Sequence, residues 1–574
     1  MVKNFFRGGR SVLYSKQANI LSAASIVMIA VLSSRVLGLF RNRTFVHFFP
    51  PETLDSFLAA FQLPDLILEV LVLGAMSSAF IPVFSSYLGR EKTKEAWFLA
   101  GVILNILLLF FLAFSALVFI FAHPIYSLVA QGFSPEQVDQ TVFFARILLL
   151  AQMFFAASYL LTAVLESNQR FLAPAVAPLF YNLSIILSTI LLAPSLGLLA
   201  PVLGAVLGSF IHFLVQLPLA LELGFRPVFL VNFRDSGVRN IAKLAFPRVV
   251  ELSFFQVKKL ADLFMASLAA GGLTYFRFAE SLAALPIGLF GLSIAKASLP
   301  QLSKQAANAD MAGFKQTFSA SLKEILFLAL PASVFLAVLR VPAVRLAFGA
   351  AQFDWQDTVQ TGYALSAFCV GAFAYALSLL VSRAFWALQD TVTPVRISVL
   401  TTFINISIGL FLVLGLKLPV WGLSLAYAVA GIVQLFVLLH LLGRKVGGFS
   451  GYNLGTAFAK IGFSSGVSGL TMFILLKILD RSVWDKNLSF LGKLGLALPT
   501  TFDRFVLDTR YVANLIYLTS FVALVGLIIY IALVYLLKVE ELGILAKSIR
   551  RFSGKIPYFA KKEETLISPP NGTP

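Results

Sequence analysis

Long apolar segments alternate with short polar connections along almost the whole chain. A helix needs roughly 20 apolar residues to cross the hydrocarbon core of a bilayer, which is about 30 Å thick. The pattern therefore predicts an all-α polytopic membrane protein with about fourteen transmembrane helices. The predicted spans are 19–45, 54–86, 96–121, 137–165, 172–193, 199–222, 240–269, 274–303, 317–339, 359–388, 395–415, 420–442, 456–478 and 511–537.

Basic residues in the connections predict how the spans are oriented. Lysine and arginine gather in alternate connections, as the positive-inside rule expects on the cytoplasmic side. The connections 122–136, 194–198 and 270–273 contain neither residue type. Both termini are therefore predicted to be cytoplasmic. The connection 479–510 fits less well, because its basic residues would then lie outside.

The two halves of the chain carry similar features at an offset of roughly 220 residues. The stretch 81–85 parallels 299–303, with a proline at the second position of each, and 168–174 parallels 388–394. The offset covers six spans, an even number, so the two copies should share one orientation, like the parallel repeats of some transporters. Chance similarity of apolar sequence is the alternative, and the matched prolines disfavour it.

The repeat predicts the domain organisation. The predicted parts are an N-terminal lobe at 1–222, a cytoplasmic linker at 223–239, a second lobe at 240–442, two further helices within 443–537 with an extracytoplasmic loop at 479–510, and a basic cytoplasmic tail at 538–574.

Composition narrows the function. The chain has 574 residues, of which 59% are hydrophobic and 13% charged, whereas soluble domains are about 25% charged. The net charge of +18 lies mainly in connections and tails, so nucleic acid is not an expected partner, and the basic tail is expected on the anionic inner leaflet. A single cysteine, Cys369, excludes a disulfide framework. We predict neither a metal centre nor ATP hydrolysis, since histidines are scattered and no Walker-type loop occurs.

Charged residues inside the first two spans mark a candidate site. Charges at bilayer depth cost several kcal/mol each, so they normally face a wet cavity or a partner in the bundle. Ser34, Gly38 and Arg41 share one face of the first span. Arg35 and Arg41 are candidate anion contacts, because arginine donates paired hydrogen bonds to phosphate. The alternative is pairing with the carboxylates of the second span. Those acidic residues are Asp55, Asp65 and Glu69.

A second charged cluster opens the second half. Lys258 and Asp262 stand four residues apart on a helix and could neutralise one another. The functional interpretation is a cationic centre for an anionic head group, and the alternative is charge-paired packing between the lobes. The remaining members of the cluster are Arg248, Glu251, Lys259, Arg277 and Glu280.

Distinctive motifs recur along the first twelve predicted spans. They lie at 34–41, 55–64, 74–83, 168–171, 286–291, 299–303 and 390–394. Together they resemble the MurJ (MviN) lipid II flippase family of the multidrug/oligosaccharidyl-lipid/polysaccharide exporter superfamily.

The resemblance implies a V-shaped pair of six-helix lobes around a cationic cavity, with spans thirteen and fourteen forming a groove for a polyprenyl tail. It also implies a substrate, undecaprenyl-diphosphate-linked peptidoglycan precursor, moved outward by alternating access in the bacterial plasma membrane. No enzymatic step and no cofactor are expected. The substrate-binding residues assigned from the residues and the resemblance together are Arg35, Arg41, Asp55, Lys258, Lys259 and Arg277.

Several positions depart from the family pattern. Leu68 and Glu69 replace an arginine pair, Leu73 an acidic residue and Ser281 a cavity arginine. We expect Lys258, Lys259 or Arg277 to supply the missing charge.

Some relatives hold a sodium ion between spans seven, eleven and twelve. Asp262 and Asn405 match that site, whereas Gly409 stands where an acidic residue is expected. A monovalent cation or the membrane potential is the expected driving force.

Three rival functions follow from the same residues. The first is a flippase for another polyprenyl-linked glycan or a small-molecule exporter of the same superfamily. The others are a membrane-embedded transferase, for which the loops offer no recognisable pattern of carboxylates, and a scaffold for cell-wall enzymes. The favoured partners are the lipid-linked diphosphate-sugar, membrane lipids and cell-wall synthesis enzymes, with the chain as a monomer.

Overall fold

A computed structural model describes residues 20–70, 76–480, 507–509 and 511–543, and these residues are overwhelmingly helical. Leu73, most of the 479–510 connection and the tail from residue 544 lie outside the described residues. The helices are α1 Ile20–Phe48, α2 Pro51–Ala60, α3 Gln62–Leu68, α4 Ile81–Gly89, α5 Thr93–Val129, α6 Pro135–Ser167, α7 Leu172–Leu196, α8 Leu199–Glu222, α9 Ser236–Ser267, α10 Gly272–Pro286, α11 Ser293–Ala307, α12 Met311–Val338, α13 Arg340–Phe348, α14 Trp355–Ala387, α15 Val392–Leu410, α16 Trp421–Val446, α17 Leu454–Leu479 and α18 Val512–Leu536.

The all-helical membrane fold is confirmed, but the count of fourteen spans is not. Eleven helical segments within the described part of the chain are long and apolar enough to cross a membrane. They coincide with eleven of the predicted spans. The other three predictions fall on α1, on the stretch from α2 to α4, and on α9. The second of these breaks into short helices with a π-helical turn at Met76–Phe80, and α9 carries both Lys258–Lys259 and Asp262.

The internal repeat is visible in backbone conformation. Helices α5 to α8 recur as α12 and α14 to α16 at a spacing of roughly 220 residues. Glu91 and Ala309 both have positive φ, of 60° and 55°, and so do Gln169 and Gln389, at 59° and 61°. Positive φ is uncommon for residues other than glycine, so its recurrence at matched connections supports the predicted duplication.

The chain divides into two compact units. The described residues of the first unit fall in 1–282, 343–367 and 398–430, and those of the second fall in 283–342, 368–397 and 431–574. Buried phenylalanines such as Phe80 and Phe111 anchor the core of the first unit. Phe314 and Phe318 belong to the core of the second.

Close packing of α7 on α8 positions one wall of the first unit. A Cβ atom added at Gly204 of α8 would lie 2.8 Å from Ser188 Cβ and 2.9 Å from Ile185 Cα of α7. A Cβ atom added at Gly208, one turn later, would likewise lie 2.9 Å from the carbonyl oxygen of Tyr181 on α7. Small residues therefore bring the two backbones together, as is common between membrane helices.

Replacing Gly204 with valine should destabilise the protein, because overpacking a close helix contact typically costs about 1–3 kcal/mol. Gly204→Val is expected to melt at a lower temperature than the parent in detergent, measured by intrinsic fluorescence. Gly466→Val is the matched control, since a Cβ there meets no atom within 4 Å and the residue also lies within a helix. Equal melting temperatures for the two variants would contradict the packing argument.

Candidate functional site

A polar cavity of about 490 Å³ lies within the first unit. Its volume falls in the range of about 300–1,000 Å³ that is typical of small-molecule sites. Five charged side chains line it, together with amides, aromatic rings and aliphatic groups. The charged lining residues are Arg41, Asp65, Glu69, Lys259 and Arg277, and the other polar ones include Asn42, Gln62, Gln152, Tyr159, Tyr181 and Ser281.

Arg41 is held in this cavity by neutral groups. Its Nη1 donates to Asn182 Oδ1 at 3.1 Å, and its Nη2 donates to Asn42 Oδ1 at 3.3 Å. The guanidinium carbon lies 5.7 Å from the ring centroid of Phe45. Its buried Nε has no hydrogen-bond partner among the described residues. Arg41 therefore keeps its positive charge uncompensated by any described carboxylate at ion-pair distance.

Asn182 is itself oriented by two further contacts. Its Nδ2 donates to Ser34 Oγ at 3.3 Å and to the carbonyl of Pro178 at 3.1 Å. These bonds direct the amide oxygen towards Arg41. Ser34 and Arg41 thus meet the same side chain, which agrees with the face predicted for the first span.

Glu69, which replaces an expected arginine, forms an ion pair with Lys259 of α9. The ammonium lies 2.6 Å from Oε1 and 2.6 Å from Oε2, and Gln256 Nε2 donates to Oε2 at 2.7 Å. Lys259 lines the cavity, and its charge is neutralised by the Glu69 carboxylate.

Arg277 of α10 is paired in the same way. Its Nη1 donates to Glu280 Oε2 at 3.0 Å, and its Nη2 donates to Gln62 Oε1 at 3.2 Å. Leu68 and Ser281 also line the cavity at positions where arginine was expected. The implied strongly cationic cavity is therefore nearly balanced in charge in this chain.

Asp65 has no ionic partner among the ion pairs found in the described residues. Its Oδ1 accepts a hydrogen bond of 2.6 Å from Nε2 of Gln152 on α6. Gln152 is 2% exposed, and its Oε1 has no partner among the described residues. Gln152 was not predicted as a site residue, because an uncharged amide in an apolar helix carries little signal in the sequence.

Three predicted substrate residues do not line this cavity. Arg35 is exposed on α1. Asp55 is 1% exposed and accepts hydrogen bonds from the backbone amide of Thr274 at 2.8 Å and its hydroxyl at 2.7 Å. Lys258 donates to Asp262 Oδ2 at 2.6 Å and lies 5.2 Å from the ring centroid of Tyr427. Asp55 thus joins α2 to α10, and the predicted pairing of Lys258 with Asp262 is present.

The predicted cation-coupling residues lie on α9 and α15. Asp262 Oδ1 and both amide atoms of Asn405 are buried without a partner among the described residues. A Cβ at Gly409 would lie 2.9 Å from Met265 Sδ, so the two helices touch one turn beyond the predicted pair. No group of three or more His, Cys, Asp or Glu side chains suited to a metal ion occurs in the described ranges.

Comparisons with known proteins are consistent with this architecture. A family model described as lipid II flippase MurJ matches residues 46–493. The lipid II flippase MurJ of Thermosipho africanus is 30% identical over 429 residues, covering 73% of this chain and 85% of the relative. The probable lipid II flippase MurJ of Haemophilus influenzae is 27% identical over 432 residues, covering 72% of this chain and 84% of the relative.

Two solved structures share the fold. A lipid II flippase MurJ in an inward closed conformation superposes with a TM-score of 0.70 at 24% identity, covering 88% of this chain and 97% of that one. An inward-facing multidrug resistance transporter of the MATE family, from the MOP superfamily, superposes with a TM-score of 0.63 at 13% identity, covering 72% and 95%. At these identities the likeness establishes the fold alone.

Proposed function

Because this chain belongs to the lipid II flippase MurJ family, we propose that it carries lipid II from the cytoplasmic to the outer leaflet of the bacterial plasma membrane by alternating access. The membrane-spanning helices and the polar cavity among them support this function. The alternating basic connections support the orientation, with both termini in the cytoplasm. No covalent step is needed, so no catalytic residue is assigned.

The physical problem for such a carrier is the head group. A diphosphate-sugar cannot cross hydrocarbon unaided, because unsatisfied polar groups and charges are costly there. A cavity lined by amides and charges replaces the lost water contacts. The polyprenyl tail need never leave the lipid, so only the head group has to be enclosed.

Arg41 is the residue best placed to contact a phosphate of the substrate. It projects into the cavity, its charge has no described ionic partner, and its Nε is an unused buried donor. A guanidinium with free donors suits a phosphate oxygen in both charge and geometry. Lys259 and Arg277 line the same cavity, but ion pairs with Glu69 and Glu280 already neutralise their charges.

Removing the Arg41 charge should abolish or strongly reduce transport. Loss of a charge-assisted hydrogen bond costs about 1.5–3 kcal/mol, which corresponds to an affinity loss of roughly 10- to 100-fold. In cells depleted of their own lipid II flippase, the parent is expected to restore growth and Arg41→Ala to fail at equal expression. Arg226→Ala, which removes an exposed arginine outside the cavity, is the control and should rescue.

The same assay separates Arg41 from Arg35. Arg35 was predicted as a second substrate contact, and it lies exposed and outside this cavity. Arg35→Ala is therefore expected to retain more function than Arg41→Ala. Full rescue by Arg41→Ala would remove the proposed phosphate contact, whereas failure of the parent in spite of membrane insertion would count against lipid II as the substrate.

We propose coupling to the membrane potential, and not to sodium, from the contacts around Asp262. The ammonium of Lys258 lies 2.6 Å from Asp262 Oδ2 and already supplies a positive charge there. Gly409 contributes no side chain where a carboxylate was expected. The unpartnered atoms of Asp262 and Asn405 remain available to a small polar species such as water.

Transport should therefore continue when sodium is replaced by potassium. Flipping of fluorescent lipid II in proteoliposomes, measured at a fixed membrane potential, is expected to proceed at similar rates in the two salts. Collapse of the potential by an ionophore should slow it, because moving one charge through 100 mV is worth about 2.3 kcal/mol. Transport that stops without sodium would contradict this assignment.

A further inference from the structure

The charges that line the cavity fall into two classes. Lys259 and Glu69 neutralise one another, and Arg277 is neutralised by Glu280. Arg41 and Asp65 remain, and neither takes part in an ion pair found among the described residues. Each is instead fixed by a neutral amide, Arg41 by Asn182 and Asp65 by Gln152. Among the described residues, Arg41 and Asp65 are therefore the charged lining residues that no ion pair includes.

Asp65 and its neighbour Gln152 offer hydrogen-bond acceptors to a ligand that carries donors. Gln152 uses its amide nitrogen to hold the Asp65 carboxylate at 2.6 Å, which leaves its Oε1 as a second acceptor, buried and without a described partner. Both residues line the cavity. A carboxylate and an adjacent amide oxygen together suit a group with several N–H donors and a positive charge.

The described contacts leave the Asp65 carboxylate with one hydrogen bond, from Gln152. Asp55, which also lacks a cationic partner, accepts two from Thr274. A charge in a membrane-spanning bundle that lacks such partners is costly. Lys259 and Arg277 line the same cavity, yet each donates to a different glutamate at 2.6 Å and 3.0 Å. The positive charge that complements Asp65 is therefore expected from the ligand.

We propose that Asp65 and Gln152 form a subsite for a primary ammonium group on the head group of the lipid-linked substrate. This inference rests on the proposed function, in which Arg41 meets the diphosphate. The ammonium donates one hydrogen bond to the Asp65 carboxylate and one to Gln152 Oε1, and its third donor faces water or the rest of the head group. The cavity thereby selects a substrate that carries both a diphosphate and a free amine.

The test compares two lipids on the purified full-length protein. One is lipid II with a free primary amine on its peptide, and the other is the same lipid with that amine acetylated. Acetylation removes the charge and two donors, so binding should weaken by roughly 10- to 100-fold, as expected for the loss of a charge-assisted hydrogen bond.

Three variants assign this difference to the subsite. Asp65→Asn should bind both lipids with similar affinity, near that of the parent for the acetylated lipid. Asp139→Asn, which neutralises a side chain that is 72% exposed, should keep the parent's discrimination. Arg41→Ala should weaken binding of both lipids and preserve the ratio between them.

The outcomes separate the two proposals. Equal binding of both lipids by the parent overturns the ammonium subsite and leaves the flippase function standing. Discrimination that persists in Asp65→Asn also overturns the subsite. Binding of neither lipid by a folded parent overturns the proposed substrate, and the subsite with it. Discrimination that is present in the parent and lost only in Asp65→Asn supports the inference.

Discussion

Charges inside a membrane-spanning bundle must be compensated locally, and this constraint shapes the first unit. Hydrocarbon cannot solvate them there, so each charge needs a partner, a wet cavity or a set of oriented dipoles. The pair between Glu69 and Lys259 meets this need across helices, with both Glu69 oxygens 2.6 Å from the ammonium. Asp55 meets it without a cation, by accepting two hydrogen bonds from Thr274. Such contacts tie the second predicted span to α9 and α10, and they set the positions of the cavity walls.

The same constraint accounts for the departures from the family pattern. Glu69 stands where an arginine is expected, and alone it would place an uncompensated negative charge in the cavity. Lys259, which lies on the neighbouring helix α9, neutralises that charge. The expected supply of positive charge from α9 and α10 is therefore present, but it balances acidic residues and does not add to a cationic field. An ion pair thus stands where the resemblance implies positive charge.

Much of the fold follows from the sequence, because periodicity and span length are local properties. The shared face of Ser34 and Arg41 follows from the helical repeat alone, and Asn182 contacts both side chains. Arg35 lies six residues before Arg41, which places it on a different side of the same helix.

Contacts between helices could not be predicted in this way, because the spacing of residues along one helix does not determine which side chains lie opposite them on another. Carboxylates of the second span were the alternative partners predicted for Arg41, whereas the structure places an asparagine there. Gln152 was not predicted as a site residue for a related reason. Its importance comes from Asp65, 87 positions away in the chain, and not from its own residue type.

The balance of charge also bears on the energetics of transport. With Lys259 and Arg277 neutralised, the described lining residues outside ion pairs are one arginine and one aspartate, whose formal charges cancel. On the proposed function and the proposed ammonium subsite, the loaded cavity gains a diphosphate whose negative charge a single ammonium offsets only in part. A membrane potential that is negative inside then favours outward movement of the loaded form, at about 2.3 kcal/mol per charge and 100 mV. When the empty carrier returns, the formal charges of Arg41 and Asp65 cancel. The membrane potential therefore does not oppose the return. On these proposals, a cavity of mixed charge lets the membrane potential favour the loaded step without opposing the return.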